Sequence, residues 1–188
     1  MKKLVLIAAM AFLTVAAGAQ TKFAHVNFTE LIQLTDEADA ARAQLSAAQK
    51  EAQQTDQSMI QEFQSKAQQY QQKASTWTQA IRESKEKELA DIQQRIQEFE
   101  QNVQQELSNQ QQQLFAPIQQ KAQEAVDKLA KAGHYIYVFE VSQLLYFDPS
   151  QSTDLTPAAR KALGIKEGRT LESLQQELQA AAQAEAQQ

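Results

Sequence analysis

From Leu31 to about Leu129 the chain contains no glycine and one proline, and is loaded with Gln, Ala, Glu and Lys. All four tolerate or favour a helix. Apolar or small residues recur through this stretch in alternating steps of three and four. They run Leu31, Leu34, Ala38, Ala41, Leu45 and Ala48 early, and Leu89, Ile92, Ile96, Phe99, Val103 and Leu107 late. A mean spacing of about 3.5 residues held over so many turns is a coiled-coil seam. Almost any fold available to this chain must therefore accommodate a long helical device.

One straight helix of that length would reach roughly 150 Å. A fold-back near residues 75–80 is the better expectation, because Ala74-Ser75-Thr76-Trp77-Thr78 carries cap-forming residues that sit poorly inside helices. Thr76 with Gln79 makes a capping box, and Thr78 is an equal candidate for the cap. The seam tests the idea independently. Folding there sets Ala67 opposite Ile92, Phe63 opposite Ile96, Met59 opposite Phe99 and Thr55 opposite Val103. Further down, Ala52 meets Leu107, Leu45 meets Leu114 and Ala41 meets Ile118. Nearly every apolar position finds an apolar or small partner in this register, often small against large, which predicts an antiparallel hairpin with arms of roughly 70 Å. Two features interrupt the second arm: the polar run Gln110–Gln113, and Pro117, which removes a donor and predicts a kink.

Strand signals flank the hairpin. Lys22–Phe28 alternates Ala24, Val26 and Phe28 against polar neighbours, and Asn27 or Thr29 is placed to cap the following helix. Asn27-Phe28-Thr29 also fits a glycosylation sequon, but a helix cap is the stronger reading. Beyond Gly133, expected at the helix C′ position, Tyr135–Val141 is dense in aromatic and β-branched residues. Leu144–Phe147 is expected to be its hairpin partner. Thr156-Pro157 reads as an N-cap followed by Pro at N1, opening a short helix that stops at Gly164. Leu171, Leu174 and Leu178 mark a last amphipathic turn or two before a frayed Ala/Gln tail. So small a set of strands cannot supply a large core, and predicts burial against other copies of the chain.

Met1-Lys2-Lys3, the apolar run Leu4–Ala17 and the small residues Ala17-Gly18-Ala19 read as a signal peptide cleaved before Gln20. The apolar run is shorter than the roughly 20 residues a spanning helix needs. The expected location is the periplasm, as a soluble protein. With no cysteine anywhere, stability must come from packing or association and not from disulfides. The formal charge of −5 includes Lys2 and Lys3, so the chain from Gln20 onward carries −7. That balance argues against nucleic acid as a partner.

No catalytic, cofactor or metal constellation is present in the sequence. His25 and His134 are the only histidines, and neither has a carboxylate or second histidine at ligand spacing along the chain. There is no phosphate-binding glycine loop and no nucleophile motif. The chain is expected not to be an enzyme and to need no cofactor.

The predicted fold is mainly α with a small β part: a long antiparallel coiled-coil hairpin on a small strand-containing oligomerisation head. The expected divisions are a leader at 1–19, a head from 20–29 and 132–167, a hairpin over 30–131, and a closing segment at 168–188. The strand Lys22–Phe28 running into the first arm, Tyr135–Val141 followed by Leu144–Phe147, and the helix start Asp154-Leu155-Thr156 together resemble the Skp (OmpH-like) family of periplasmic chaperones, over about Lys22 to Ile165. The resemblance implies a homotrimer whose strands share a β head, with three hairpins around a cavity that holds unfolded outer-membrane β-barrel proteins without ATP. It also leaves room for weak membrane-surface contact at the arm tips. The chain departs from the basic members of that family in being acidic. Lys66, Lys73, Arg82, Lys85 and Lys87 gather near the turn, but Glu62, Glu83, Glu86 and Glu88 offset them. The competing reading of the same features is a structural spacer or adaptor in an envelope complex.

Overall fold

The computed structural model describes residues 22–186; the expected leader lies outside them. The residues fall into two compact units, one of Ile32–Gln120 and one formed by the segments up to Leu31 and from Lys121 onward.

The chain opens with strand β1 (Phe23–Val26) and a short helix α1 (Phe28–Gln33). Of the two candidate caps, Asn27 takes the role. Its Oδ1 accepts the Glu30 amide at 3.1 Å, and its Nδ2 donates to Glu30 Oε1 at 3.0 Å. The first arm does not continue from α1 unbroken, as the seam had suggested. It restarts as α2 (Asp36–Lys73) after a turn at Leu34–Thr35. The Thr35 hydroxyl caps α2 by accepting the Ala38 amide at 3.2 Å, and Asp36, Glu37 and Asp39 crowd its first turn. Acidic side chains there complement the positive end of the helix dipole.

A 3₁₀ turn (Ala74–Thr76) then leads to α3 (Gln79–Gly133). Thr78 is the residue that caps α3, its Oγ1 accepting the Ile81 amide at 3.4 Å. Thr76 instead donates to the Lys73 carbonyl at 2.8 Å, so it closes the first arm. Arg82 Nη1 donates to the Trp77 carbonyl at 2.7 Å, and Tyr70 meets Trp77 edge to face with ring centroids 5.9 Å apart. The turn is held by side chains that reach back onto its own backbone.

Across the hairpin the polar partners fall two to five residues short of the register expected from the sequence: Lys66 with Glu88, Tyr70 with Glu86, and Glu62 with Arg95 at 2.6 Å. The expected pair Ala41 and Ile118 is buried in one cluster with Ala38, against which Ile32, Leu114 and Phe115 pack. Pro117 lies inside α3 without ending it. The prolyl nitrogen has no hydrogen to give the Gln113 carbonyl, and both neighbouring turns carry the helix through.

The second unit contains the sheet. At the end of α3 the left-handed residue is His134, with φ 56°, and not Gly133. The His134 amide reaches the Lys131 carbonyl at 3.3 Å and the Tyr135 amide reaches that of Ala130 at 3.0 Å, which completes a Schellman closure. Glycine serves at 133 for a different reason, taken up below. Strand β2 (Tyr137–Glu140) follows, then a 3₁₀ turn at Val141–Gln143. Leu144–Phe147 forms no strand, so the expected hairpin is absent. The third strand is β3 (Ser152–Asp154), and the sheet order β2-β1-β3 is parallel throughout. Parallel neighbours cannot be joined by a tight turn. The whole helical hairpin serves as the connection from β1 to β2, and the segment after β2 must pass β1 to reach β3.

Helix α4 (Thr156–Ala162) starts at the foreseen Thr-Pro pair, but the Thr156 hydroxyl does not cap it. Thr156 Oγ1 accepts the Asn27 amide at 2.9 Å, and Asp154 Oδ1 accepts the Thr156 amide at 2.8 Å. Gly164, with φ 71°, ends the helix as expected. The last helix, α5 (Leu171–Ala186), is 16 residues long, in place of a turn or two with a frayed tail. Ala24, Val26, Leu155, Ala159, Leu163, Ile165 and Leu174 are buried in this unit.

Candidate oligomerisation surface

The two faces of the sheet differ sharply. The register pairs Phe23 with Tyr137 and Ser152, and His25 with Phe139 and Asp154. Side chains alternate along a strand, so these six share one face, while Ala24, Val26 and Val138 share the other. Ala24 and Val26 are buried. The first face carries an aromatic ladder: Phe23 stacks on Tyr137 at 6.3 Å, Tyr137 on Phe139 at 5.8 Å, and Phe23 lies 6.4 Å from Phe139. All three rings are exposed, with Tyr137 at 59%. Nearby in sequence, Ile136, Leu145 and Tyr146 are exposed as well.

A parallel sheet is ordinarily covered on both faces. Here three aromatic rings pack against one another on a face that the described residues cover only at one end, where Phe147 lies 4.5 Å from the His25 ring. Aromatic side chains dominate the energetics of protein interfaces. The arrangement is suited to burial against another polypeptide.

His25, which the sequence left as a structural residue, sits at that covered end and is 8% exposed. Its Nδ1 is 2.8 Å from Ser152 Oγ, and its Nε2 is 4.0 Å from Asp154 Oδ1. The carboxylate missing from its sequence neighbourhood is thus supplied across the sheet, at a distance that makes an ion pair only when the ring is protonated. His134 lies apart from it, serving as the left-handed residue after α3.

Two polar anchors that hold the sheet unit, Glu140 and Arg160, had no sequence signal. Glu140 Oε2 accepts the Phe28 amide at 2.5 Å and so pins β2 to the start of α1. Its other oxygen accepts the Ser142 hydroxyl at 3.0 Å. Arg160 spans three segments: Nη1 donates to Glu30 Oε2 at 2.7 Å, and Nη2 donates to the carbonyls of Arg169 at 2.5 Å and Lys166 at 3.3 Å. The pairs Glu140 with Phe28 and Arg160 with Glu30 are each more than a hundred residues apart. Only the fold brings them together.

The basic cluster near the turn is largely consumed within the hairpin. Lys66 and Lys85 both bind Glu88, Lys85 at 2.7 Å, and Arg82 serves the turn backbone. The hydrogen bond from Lys66, reinforced by that from Lys85, holds the Glu88 carboxyl down at about 2. The same bond raises Lys66, and donation to Glu86 raises the Tyr70 phenol. Midway along the arms lies a cavity of about 200 Å³ lined by Ala52, Asp56, Phe99, Val103 and Leu107, among others. Asp56 Oδ1 is buried without a hydrogen-bond partner. The seam is therefore not tightly filled at this level.

Among the described residues no helix is long and apolar enough to cross a membrane. Comparison with curated proteins gave no match. Residues 22–163, from the approach to β1 through α4, match the model of a family described as outer membrane protein (OmpH-like). That span covers both arms, all three strands and α4, and leaves out α5. The chain belongs to the OmpH-like family.

Proposed function

We propose that this protein is an ATP-independent holdase that, as a homotrimer in the periplasm, binds unfolded outer-membrane β-barrel proteins and keeps them from aggregating. A chaperone kind of function directed at outer-membrane proteins goes with the family. The observation that carries the finer reading is the aromatic ladder Phe23–Tyr137–Phe139, exposed on one face of a parallel sheet. Copies joined through that face would hold several long hairpins together. Many weak contacts on tethered arms give firm holding without a tight single site, and still permit release. Since Lys66 and Lys85 near the turn are engaged with Glu88 within the hairpin, capture by apolar and polar contact is favoured over capture by charge.

A urea-denatured barrel protein diluted into buffer should scatter less light in the presence of this protein. No suppression would sink the holdase reading. Phe139→Asp places a charge in the ladder and should yield a monomer by light scattering, with its helical circular dichroism kept. The spacer reading expects a dry, complete seam and one folded stoichiometric partner. The cavity beside Asp56 speaks against the first of these.

A further inference from the structure

The cavity of about 200 Å³ midway along the arms combines an apolar floor with one unsatisfied acceptor. Phe99, Val103 and Leu107 recur at four-residue steps and face it from α3, while Ala52 and Asp56, one helical turn apart, face it from α2. A methyl group and a carboxylate on one side cannot fill the space that large side chains on both sides would close. Charge here is of one sign: Asp56 and Glu100 line the cavity, and no described lysine or arginine does. Arg95, one turn before Phe99, is bonded to Glu62 instead. Asp56 Oδ1 is buried, and no group of the chain donates to it. Buried acceptors are normally paired, so this oxygen marks a place for a donor from outside the chain.

We propose that the cavity is a binding site for a short aliphatic cation, a primary ammonium on an alkyl stem of about four to six carbons. The size fits, since a cavity of about 150 Å³ already takes benzene. An ammonium has three donors and no acceptor, so it satisfies Asp56 Oδ1 without bringing an unpaired acceptor of its own. Its stem covers the floor of Ala52, Val103 and Leu107, as alkyl stems of charged side chains do on apolar surface. The exposed Glu100 carboxylate adds to the attraction for positive charge. A divalent ion fits poorly, because it takes about six or more oxygen ligands, and no cluster of three or more His, Cys, Asp or Glu is present among the described residues. A neutral apolar molecule would leave the carboxylate oxygen unpaired. The site goes beyond the holdase reading and does not depend on it. The same chemistry occurs in a lysine side chain of a bound polypeptide and in a free alkylamine, and the test separates the two.

Ligand-observed NMR titrations of the protein with pentylammonium, pentanol and pentanoate test the site. Pentylammonium should bind and should slow amide exchange in 49–56 and 99–107. Pentanol, which cannot give a charged hydrogen bond, should bind about tenfold or more weakly, and pentanoate more weakly again. Asp56→Asn keeps the shape and removes the charge, and should lose about tenfold or more in pentylammonium affinity. Ala52→Leu fills the cavity with Asp56 in place and should also abolish binding, while Asp91→Asn, at an exposed position of α3, should keep it; circular dichroism checks that each variant is folded. N-acetyl-lysine amide binding as well as pentylammonium assigns the site to lysine side chains of a polypeptide. Its exclusion, with diaminopentane still bound, assigns the site to free amines. Pentylammonium that binds Asp56→Asn as well as wild type, protects a different segment, or binds no better than pentanol overturns the proposal. So does the failure of every probe to bind at tens of millimolar, which would leave Asp56 to water alone.

Discussion

The ring of Tyr135 lies so close to Gly133 that a Cβ at residue 133 would stand 2.1 Å from Tyr135 Cε2. The glycine is needed for this approach and not for its backbone angles, since the left-handed residue is the neighbouring His134. Two substitutions separate these roles. Gly133→Ala must displace the ring and should cost about 1–3 kcal/mol, as overpacking usually does. His134→Gly relieves the strain of a left-handed non-glycine residue and should gain about 0.5–1 kcal/mol. Urea unfolding of the two variants should move the midpoint in opposite directions.

Asp56 offers a stabilising change. A buried carboxylate oxygen without a partner costs about 1–3 kcal/mol, and the adjoining cavity has room for a larger apolar group. Asp56→Leu should raise the melting temperature and slow hydrogen exchange in 49–56 and 99–107. Asp91→Leu, at an exposed position of α3, should do neither.

The outer end of the hairpin should weaken in acid. The Glu88 carboxyl titrates near 2 when folded against an ordinary value of 4.5. A depressed carboxylate contributes stability that is fully present above its unfolded pKa and is lost as pH falls through the folded one. The loss should therefore run from about pH 4.5 down to about 2. In Glu88→Gln this part of the acid response should vanish, read as amide exchange in 62–95 at successive pH values. Lys66 and Tyr70 are raised, so their contribution is present below the unfolded values and fades above pH 10.

Arg160 binds Glu30 and two loop carbonyls through a forked head group, with both charged side chains at least three-quarters buried. Arg160→Ala should cost about 1.5–3 kcal/mol, the range for hydrogen bonds to charged groups. Lysine has no fork and should restore little of it. The check is urea unfolding followed by near-ultraviolet signal from the sheet-unit tyrosines.

The hairpin was legible because its cause is local and repeated. The spacing from Leu31 to Leu129 forces a seam, and Ala41 meets Ile118 as that spacing requires. Even the turn was narrowed to Thr76 or Thr78, and the choice fell to Thr78 because Thr76 was taken by the Lys73 carbonyl. The break at Thr35 was missed for lack of a glycine or proline to announce it. Leu144–Phe147 was misjudged because adjacent apolar runs suggest a hairpin, while the sheet pairs strands parallel across more than a hundred residues. The candidate surface was legible only as a need for partners.

The sequence alone determined that this chain builds a long two-armed helical hairpin with strands at its two ends, since helical periodicity and capping act between near neighbours. Only the tertiary structure decided that β1 lies between β2 and β3, that Phe23, Tyr137 and Phe139 align on one open face, and that Arg160, Glu140 and Thr156 tie distant segments together. Those contacts join residues far apart along the chain, and no local pattern encodes which distant partner a polar group will find.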